Sequence, residues 1–159
     1  MKYLDAKVTF AEVPDEISLC ISITNCPGTC KNCHSPELRE DIGNILNWDS
    51  LNALIHINKG ITCVCVMGGD ANLGEVNDIA QDIKEYYPEL KVAWYSGRQE
   101  LSDKIDLWNF DFIKLGPYTR SLGPLSSRTT NQRFYKVFHF THGRSELIDI
   151  TNKFWKEHD

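Results

Sequence analysis

Large apolar residues alternate with small ones through Ile17-Ser-Leu-Cys-Ile-Ser-Ile23. A period of two predicts a β-strand with Ile17, Leu19, Ile21 and Ile23 on one face. After Trp48-Asp-Ser the spacing changes: Leu51, Leu54 and Ile55 mark the apolar side of a helix, with Asp49 as candidate N-cap and Gly60 beyond its end. Ile61-Thr-Cys-Val-Cys-Val-Met67 is a continuous apolar run, the pattern of a strand covered on both faces. Val76, Ile79, Ala80, Ile83 and Tyr87 predict a second helix over Glu75 to Tyr87, which Pro88 closes. Further strands are predicted at Lys91–Tyr95, at Phe110–Leu115 and, with weaker alternation, at Phe134–Phe140. Leu101 to Leu107 reads as a short helix. Leu147, Ile150, Phe154 and Trp155 read as the apolar stripe of a C-terminal helix.

Strands that alternate with helices predict an α/β fold with mostly parallel strands and right-handed crossovers. Sheets of that kind carry their chemistry just beyond the C-terminal ends of the strands. Polar or glycine-bearing segments follow the predicted strands at Cys26 to Cys33, Gly68-Gly69-Asp70, Ser96-Gly97 and Gly116-Pro117. The topology therefore predicts that these four segments meet at one end of the sheet. No repeat, low-complexity tract or linker divides the chain, so residues 1–159 are expected to form a single domain. The chain is too short for a complete eight-fold β/α barrel of about 250 residues.

The first of these segments is Cys26-Pro-Gly-Thr-Cys30-Lys-Asn-Cys33, a C-x3-C-x2-C cluster with no fourth cysteine nearby. Three thiolates can hold three corners of a cubane iron–sulfur cluster and leave the fourth iron open to a small molecule. Open coordination suits catalysis, whereas a closed ligand set suits a structural site. A zinc knuckle completed by His34 is the alternative, although neighbouring ligands such as Cys33 and His34 fit a tetrahedral site awkwardly. Three free loop cysteines are the remaining possibility.

Other positions carry weaker signals. Paired glycines at Gly68-Gly69 let a backbone approach a ligand closely, and free backbone groups there can bind its charged ends. An ordinary turn has the same composition. Tyr95-Ser96-Gly97 fits either a ligand contact or a strand-end turn with a packed aromatic. Lys114 places a charge within an apolar strand, where it either snorkels to solvent or points into the site. Cys63 and Cys65 share one side of their strand. They read, like Cys20, as buried thiols packed as small apolar groups rather than a redox pair or a fourth ligand. His139 and His142 read as structural or solvated histidines rather than metal ligands. Arg120, Arg128 and Arg133 border a Ser/Thr-rich stretch that either docks a partner or solvates a loop.

Composition narrows the class. A formal charge of −5 argues against a nucleic acid partner, which leaves a basic footprint. No segment approaches the ~18 apolar residues of a membrane span. Lys2, Asp5, Lys7 and Glu12 occupy the N-terminal region without an apolar core, so no signal peptide is expected and a cytoplasmic location is. Six cysteines in such a chain fit reduced thiols better than a disulfide framework.

Taken with their order, these motifs resemble the activating proteins of anaerobic ribonucleoside-triphosphate reductases, a family of glycyl radical enzyme activases within the radical S-adenosylmethionine superfamily. The resemblance runs from Ile21 through Arg133. It rests on Asn25-Cys-Pro-Gly-Thr-Cys-Lys-Asn-Cys-His-Ser-Pro-Glu37, Met67-Gly-Gly-Asp70, Tyr95-Ser-Gly97, Asp111-Phe-Ile-Lys-Leu-Gly116 and Thr130-Asn-Gln-Arg133. It implies a short, incomplete (β/α) barrel of radical SAM type, with a [4Fe–4S] cluster on Cys26, Cys30 and Cys33. It further implies S-adenosylmethionine contacts from Asn32, His34, Gly68, Gly69, Asp70, Tyr95, Ser96 and Gly97. The implied activity is reductive cleavage of S-adenosylmethionine to a 5′-deoxyadenosyl radical, which takes a hydrogen atom from a glycine of the partner reductase. A one-electron donor such as a flavodoxin or ferredoxin would supply the electron. The chain departs from the family pattern in two places. Asp70 stands where Glu is usual, and Leu115 stands where an Asp often precedes the glycine matching Gly116, so no catalytic acid is carried over.

Overall fold

The computed structural model describes residues 1–156. One eight-stranded sheet organises them, in the order β3-β1-β2-β4-β5-β6-β7-β8. Its strands are β1 (Lys2–Thr9), β2 (Ser18–Ile23), β3 (Asn44–Ile45), β4 (Cys63–Met67), β5 (Lys91–Tyr95), β6 (Phe112–Leu115), β7 (Arg133–His139) and β8 (Ser145–Asp149). The helices are α1 (Trp48–Ile57) and α2 (Leu73–Tyr86). Only β2, β4, β5 and β6 pair in parallel. The flanks are antiparallel: β1 with β2 and β3 on one side, β7 with β6 and β8 on the other. The fold is thus α/β with an open, mixed sheet, and the expected parallel arrangement is confined to its centre. Connection length explains the division. Crossovers between parallel strands need a dozen or more residues, whereas a short turn such as Phe140–Arg144 can only join antiparallel neighbours.

The sheet has two differently furnished faces. Leu19, Ile21 and Ile23 of β2, Val64 and Val66 of β4, Val92 and Trp94 of β5, and Ile113 of β6 pack against both helices. From α2 that layer receives Leu73, Val76, Ile79, Ala80 and Ile83, each large side chain stabilising the fold by roughly 1.5–3 kcal/mol. The opposite face carries smaller groups, Cys20, Cys63, Cys65 and Ala93, followed by Tyr95, Phe112 and Phe134. Val13, Leu125, Ile150 and Phe154 cover it from loops and the C-terminal segment.

Several expected elements shift or change type. Asn47, not Asp49, caps α1, in a reciprocal capping box with Ser50. The segment Leu101–Leu107 is not a helix. Asn77 of α2 donates to Lys104 O at 2.6 Å and accepts from Asp106 N at 2.9 Å, taking backbone groups that a helix would need. A single 3-10 turn, Leu107–Asn109, follows instead. The predicted C-terminal helix is β8 followed by a 3-10 turn at Thr151–Phe154. The turn before β8 uses positive φ at His142 and Gly143, and Asp149 then accepts from both the amide and the hydroxyl of Thr151. Strand β1, with alternating charges and only modest apolar content, is an element the sequence pattern did not predict.

Candidate functional site

The four parallel strands end together, and the loops that follow them bond to one another. Gly68 N donates to Tyr95 O at 2.9 Å, Ser96 N to Lys114 O at 2.9 Å, and Gly116 N to Arg98 O at 2.6 Å. Gly68 O accepts from Trp94 Nε1 at 2.8 Å. Gly68 sits at φ +110°, where an added Cβ would come 3.3 Å from Ile23 Cβ, so only glycine lets β4 turn this close to β2. The convergence expected from strand order is therefore realised.

Asp70 is the knot of this arrangement. Its carboxylate is 8% exposed. It accepts from Ser96 Oγ at 2.6 Å and from Gly97 N at 2.9 Å, and Arg98 Nε lies 3.7 Å away. Arg98 also donates to Asp70 O at 3.0 Å. Asp70 thus ties the loop after β4 to the loop after β5. Ser96 is fully buried by this bond.

Lys114 ties the next pair of loops. Its ammonium points inward rather than to solvent, with 8% exposure. It donates to Gly116 O at 2.8 Å and Ser96 O at 3.1 Å and lies 5.5 Å from the centre of the Tyr95 ring. Burial pulls its pKa down to about 8, against the favourable charges of Asp70 and Cys30. Gly116 O takes a second donor, Gln132 Nε2, at 3.3 Å.

Above these loops lies a cavity of about 880 Å³, lined by Gly28, Thr29, Cys30, Lys31 and Asn32 on one side and by Gly97 and residues 117–121 on the other. A second cavity of about 470 Å³ adjoins it, with Lys114, Tyr95, His34, Glu12 and Gln132 in its wall. Tyr118 lines both, and its ring packs at a tilt against His34, 4.3 Å between centroids. The chain matches no protein-family model, no curated protein and no solved structure.

The cysteine loop leaves the sheet at Asn25 and returns through Glu40. Asn25 N donates to Glu40 O at 3.0 Å and Cys26 N to Leu38 O at 2.8 Å, forming a closed stem. Asn25 and Asn32 take positive φ, 60° and 59°, a conformation asparagine tolerates better than most residues. Cys26, Cys30 and Cys33 are free thiols, each half-buried. Among the described residues, no group of three His, Cys, Asp or Glu side chains is gathered closely enough to hold a metal ion. The donor set and its local cradle nevertheless suit a cluster: three unpaired thiols share one short loop. A Cβ at Gly28 would sit 3.3 Å from Cys26 Sγ and 3.9 Å from Cys30 Sγ, so glycine keeps the space between them clear.

The remaining expected positions sort by geometry. Asn32 and Gly97 line the large cavity, and His34 and Tyr95 the smaller one. The Tyr95 hydroxyl donates to Glu12 O, so its ring is a packed wall. Gly69 packs against Val76 and Met1 rather than the cavity. Cys20, Cys63 and Cys65 are buried in the second apolar cluster. Burial pushes the Cys63 thiol up to about 12 and Cys65 well above its ordinary range, which keeps both protonated. His139 is structural, bonding Ser145 Oγ at 2.8 Å and Phe110 O at 2.9 Å. Sequence reasoning missed Tyr118, Thr119 and Ser121. The only signal for them was their position just after Gly116-Pro117 at a strand end.

Proposed function

We propose that this chain is an iron–sulfur activase that reductively cleaves S-adenosylmethionine and generates a glycyl radical on an anaerobic ribonucleoside-triphosphate reductase. On this proposal the open sheet is a short, incomplete barrel of radical SAM type, working in the cytoplasm with a flavodoxin or ferredoxin as electron donor. The observation that carries it is the meeting of a three-thiol loop, whose cradle is kept open by Gly28, with the Asp70- and Lys114-tied loops around one cavity. That cavity, about 880 Å³, lies within the roughly 300–1,000 Å³ usual for small-molecule sites.

Cys26, Cys30 and Cys33 would hold the cluster. Cluster and S-adenosylmethionine together would supply a carbon radical able to take a hydrogen atom from a C–H bond. The chain's own residues bind, orient and exclude water. Asp70 accepts from the Ser96 hydroxyl and the Gly97 amide, so it also orders the loop that faces the ligand. Lys114 holds Ser96 O and Gly116 O and adds positive charge to the wall of the smaller adjoining cavity. Lys31 and Arg120 stand at its wall, where they suit a ligand that bears a carboxylate.

Anaerobic reconstitution with iron and sulfide, followed by reduction and EPR with and without S-adenosylmethionine, tests the proposal. A [4Fe–4S] signal that shifts on adding the cofactor, with 5′-deoxyadenosine accumulating, is expected. Zinc as the bound metal, or a cluster whose signal ignores the cofactor, would discard the enzyme in favour of a structural or electron-transfer metal module. Cys30→Ala is expected to lose both the cluster and cofactor cleavage, and full cleavage by that variant would refute the ligand assignment.

A further inference from the structure

Strands β6 and β7 pair as far as Leu115 opposite Arg133. Continued by one and two residues, the ladder would set Gly116 opposite Gln132 and Pro117 opposite Asn131. Backbone pairing stops there because Pro117 has no N–H to donate and Gly116 N is spent on Arg98 O. Side chains take over. Gln132 Nε2 donates to Gly116 O at 3.3 Å, and Asn131 Nδ2 donates to Pro117 O at 3.0 Å. The two preceding residues grip the far end of the same loop. Thr130 Oγ1 donates to Gly123 O at 3.2 Å, and Thr129 Oγ1 donates to Leu122 O at 2.7 Å. Consecutive side chains from Thr129 to Gln132 thus hold the loop after β6 at both ends, each by a carbonyl.

Between these grips stands one wall of the large cavity, Pro117 to Ser121. Among the described residues, no backbone-to-backbone bond joins residues 117–121 to another segment. Side chains therefore set the position of that wall. Asn131 acts at the end nearest the cysteine loop. Its bond falls on the residue next to Tyr118, whose ring packs against His34. Gly116 turns there at φ +105°, and an added Cβ would come 3.1 Å from Gln132 Cα and 3.4 Å from Asn131 O. Contact this close passes a shift of residues 131–132 directly into the loop. Asn131 Oδ1 is buried and, among the described residues, has no donor. The bond to Pro117 O is thus the polar contact that fixes this side chain.

We propose that Asn131 is a positioning residue for ligand binding. Through Pro117 O it registers the wall that carries Tyr118 and Arg120 against the ligand of the large cavity. That ligand is taken as S-adenosylmethionine, so the inference rests on the function proposed above. Leucine at this position removes the donor and also the unpartnered buried acceptor, two effects of opposite sign on stability. Asn131→Leu should therefore unfold close to wild type while leaving Pro117 O without its donor.

Steady-state cleavage of S-adenosylmethionine by the reconstituted, reduced full chain tests this, with hydrogen–deuterium exchange of the metal-free protein beside it. Asn131→Leu should raise KM for S-adenosylmethionine by about tenfold and keep kcat within about twofold of wild type. Its amides at 118–121 should exchange faster. Asn131→Asp has the same shape without the Nδ2 donor. It should act alike at neutral pH and decides the matter if the leucine variant fails to fold. Asn77→Ala is the control, since it loses two hydrogen bonds that line neither cavity. Its stability should fall and its KM should not move. An unchanged KM in the Asn131 variants overturns the proposal, even with faster exchange. So does a rise in KM that Asn77→Ala matches. A wild type that does not cleave S-adenosylmethionine refutes the proposed function instead. Exchange then still judges the wall, and unchanged protection at 118–121 overturns its registration by Asn131.

Discussion

Replacing Lys114 by Met removes a buried charge while keeping much of its length. The ammonium's pKa falls from an ordinary 10.5 to about 8 because burial disfavours the charged form. Below about pH 8 both folded and unfolded chains carry this proton. Between about 8 and 10.5 the unfolded chain holds it and the folded chain does not, so stability rises with pH through that window. The whole window corresponds to about 3 kcal/mol, and about 2 kcal/mol of it is reached by roughly pH 9.5. Cys63, Cys65 and Tyr95 act in the opposite direction. Burial raises all three, so the unfolded chain ionises first and stability falls as pH climbs through the thiol and phenol ranges. These acids are common to both proteins, and the difference between wild type and Lys114→Met isolates the lysine. Urea denaturation of the metal-free, reduced proteins measures it. Between pH 7 and about 9.5 the wild-type midpoint should move up by about 1 M relative to the variant, using a slope of about 2 kcal/mol per molar. Midpoints that track each other across the range would refute a buried ammonium and return Lys114 to solvent.

Other perturbations have equally direct readouts. Asp70→Asn leaves either Gly97 N or Ser96 Oγ without its acceptor and should lower stability by about 1–3 kcal/mol, measured by denaturation. The same variant should weaken S-adenosylmethionine binding by calorimetry while retaining near-normal iron, and an iron-free protein would mean that Asp70 shapes the cysteine loop instead. Gly69→Ala forces a side chain into φ +92° against Val76 and should cost about 1–3 kcal/mol of stability, whereas Gly60→Ala, with open space around it, should cost less. Gly28→Ala should leave thermal unfolding nearly unchanged but reduce iron incorporation, because the added methyl would intrude between Cys26 and Cys30.

Local pattern sufficed where burial and periodicity agree. β5 spans Lys91–Tyr95 as expected, and α2 and β4 differ from expectation only at their ends. The meeting of the cysteine, Gly68–Asp70, Ser96–Gly97 and Gly116 segments was legible from strand order alone. Failures came where tertiary partners decide. Leu147, Ile150 and Phe154 have helical spacing, yet β7 offers an edge to pair with, and β8 takes it. Asn77 holds residues 104–106 out of a helix across 27 positions of sequence, beyond the reach of any local signal. Asp70 also has a role that no local pattern announces: its two oxygens accept from Ser96 Oγ and Gly97 N and so tie two loops together. Lys114 could not be placed at all from its strand, because snorkelling and inward burial leave the same sequence.

The stem of the cysteine loop has an entropic consequence. Among the described residues, backbone-to-backbone bonds hold Asn25, Cys26, Leu38 and Glu40, while residues 27–34 make none. Fixing such a segment takes on the order of 1 kcal/mol per residue. Arg39 pins the loop at Cys30 O, and whatever gathers the three thiols must supply the rest of the ordering, so part of its intrinsic affinity is converted into loop structure. Pro27 restricts the chain and lightens this load, and Gly28 adds to it. Stiffening the loop away from the thiols is thus a route to tighter metal retention that touches no ligand.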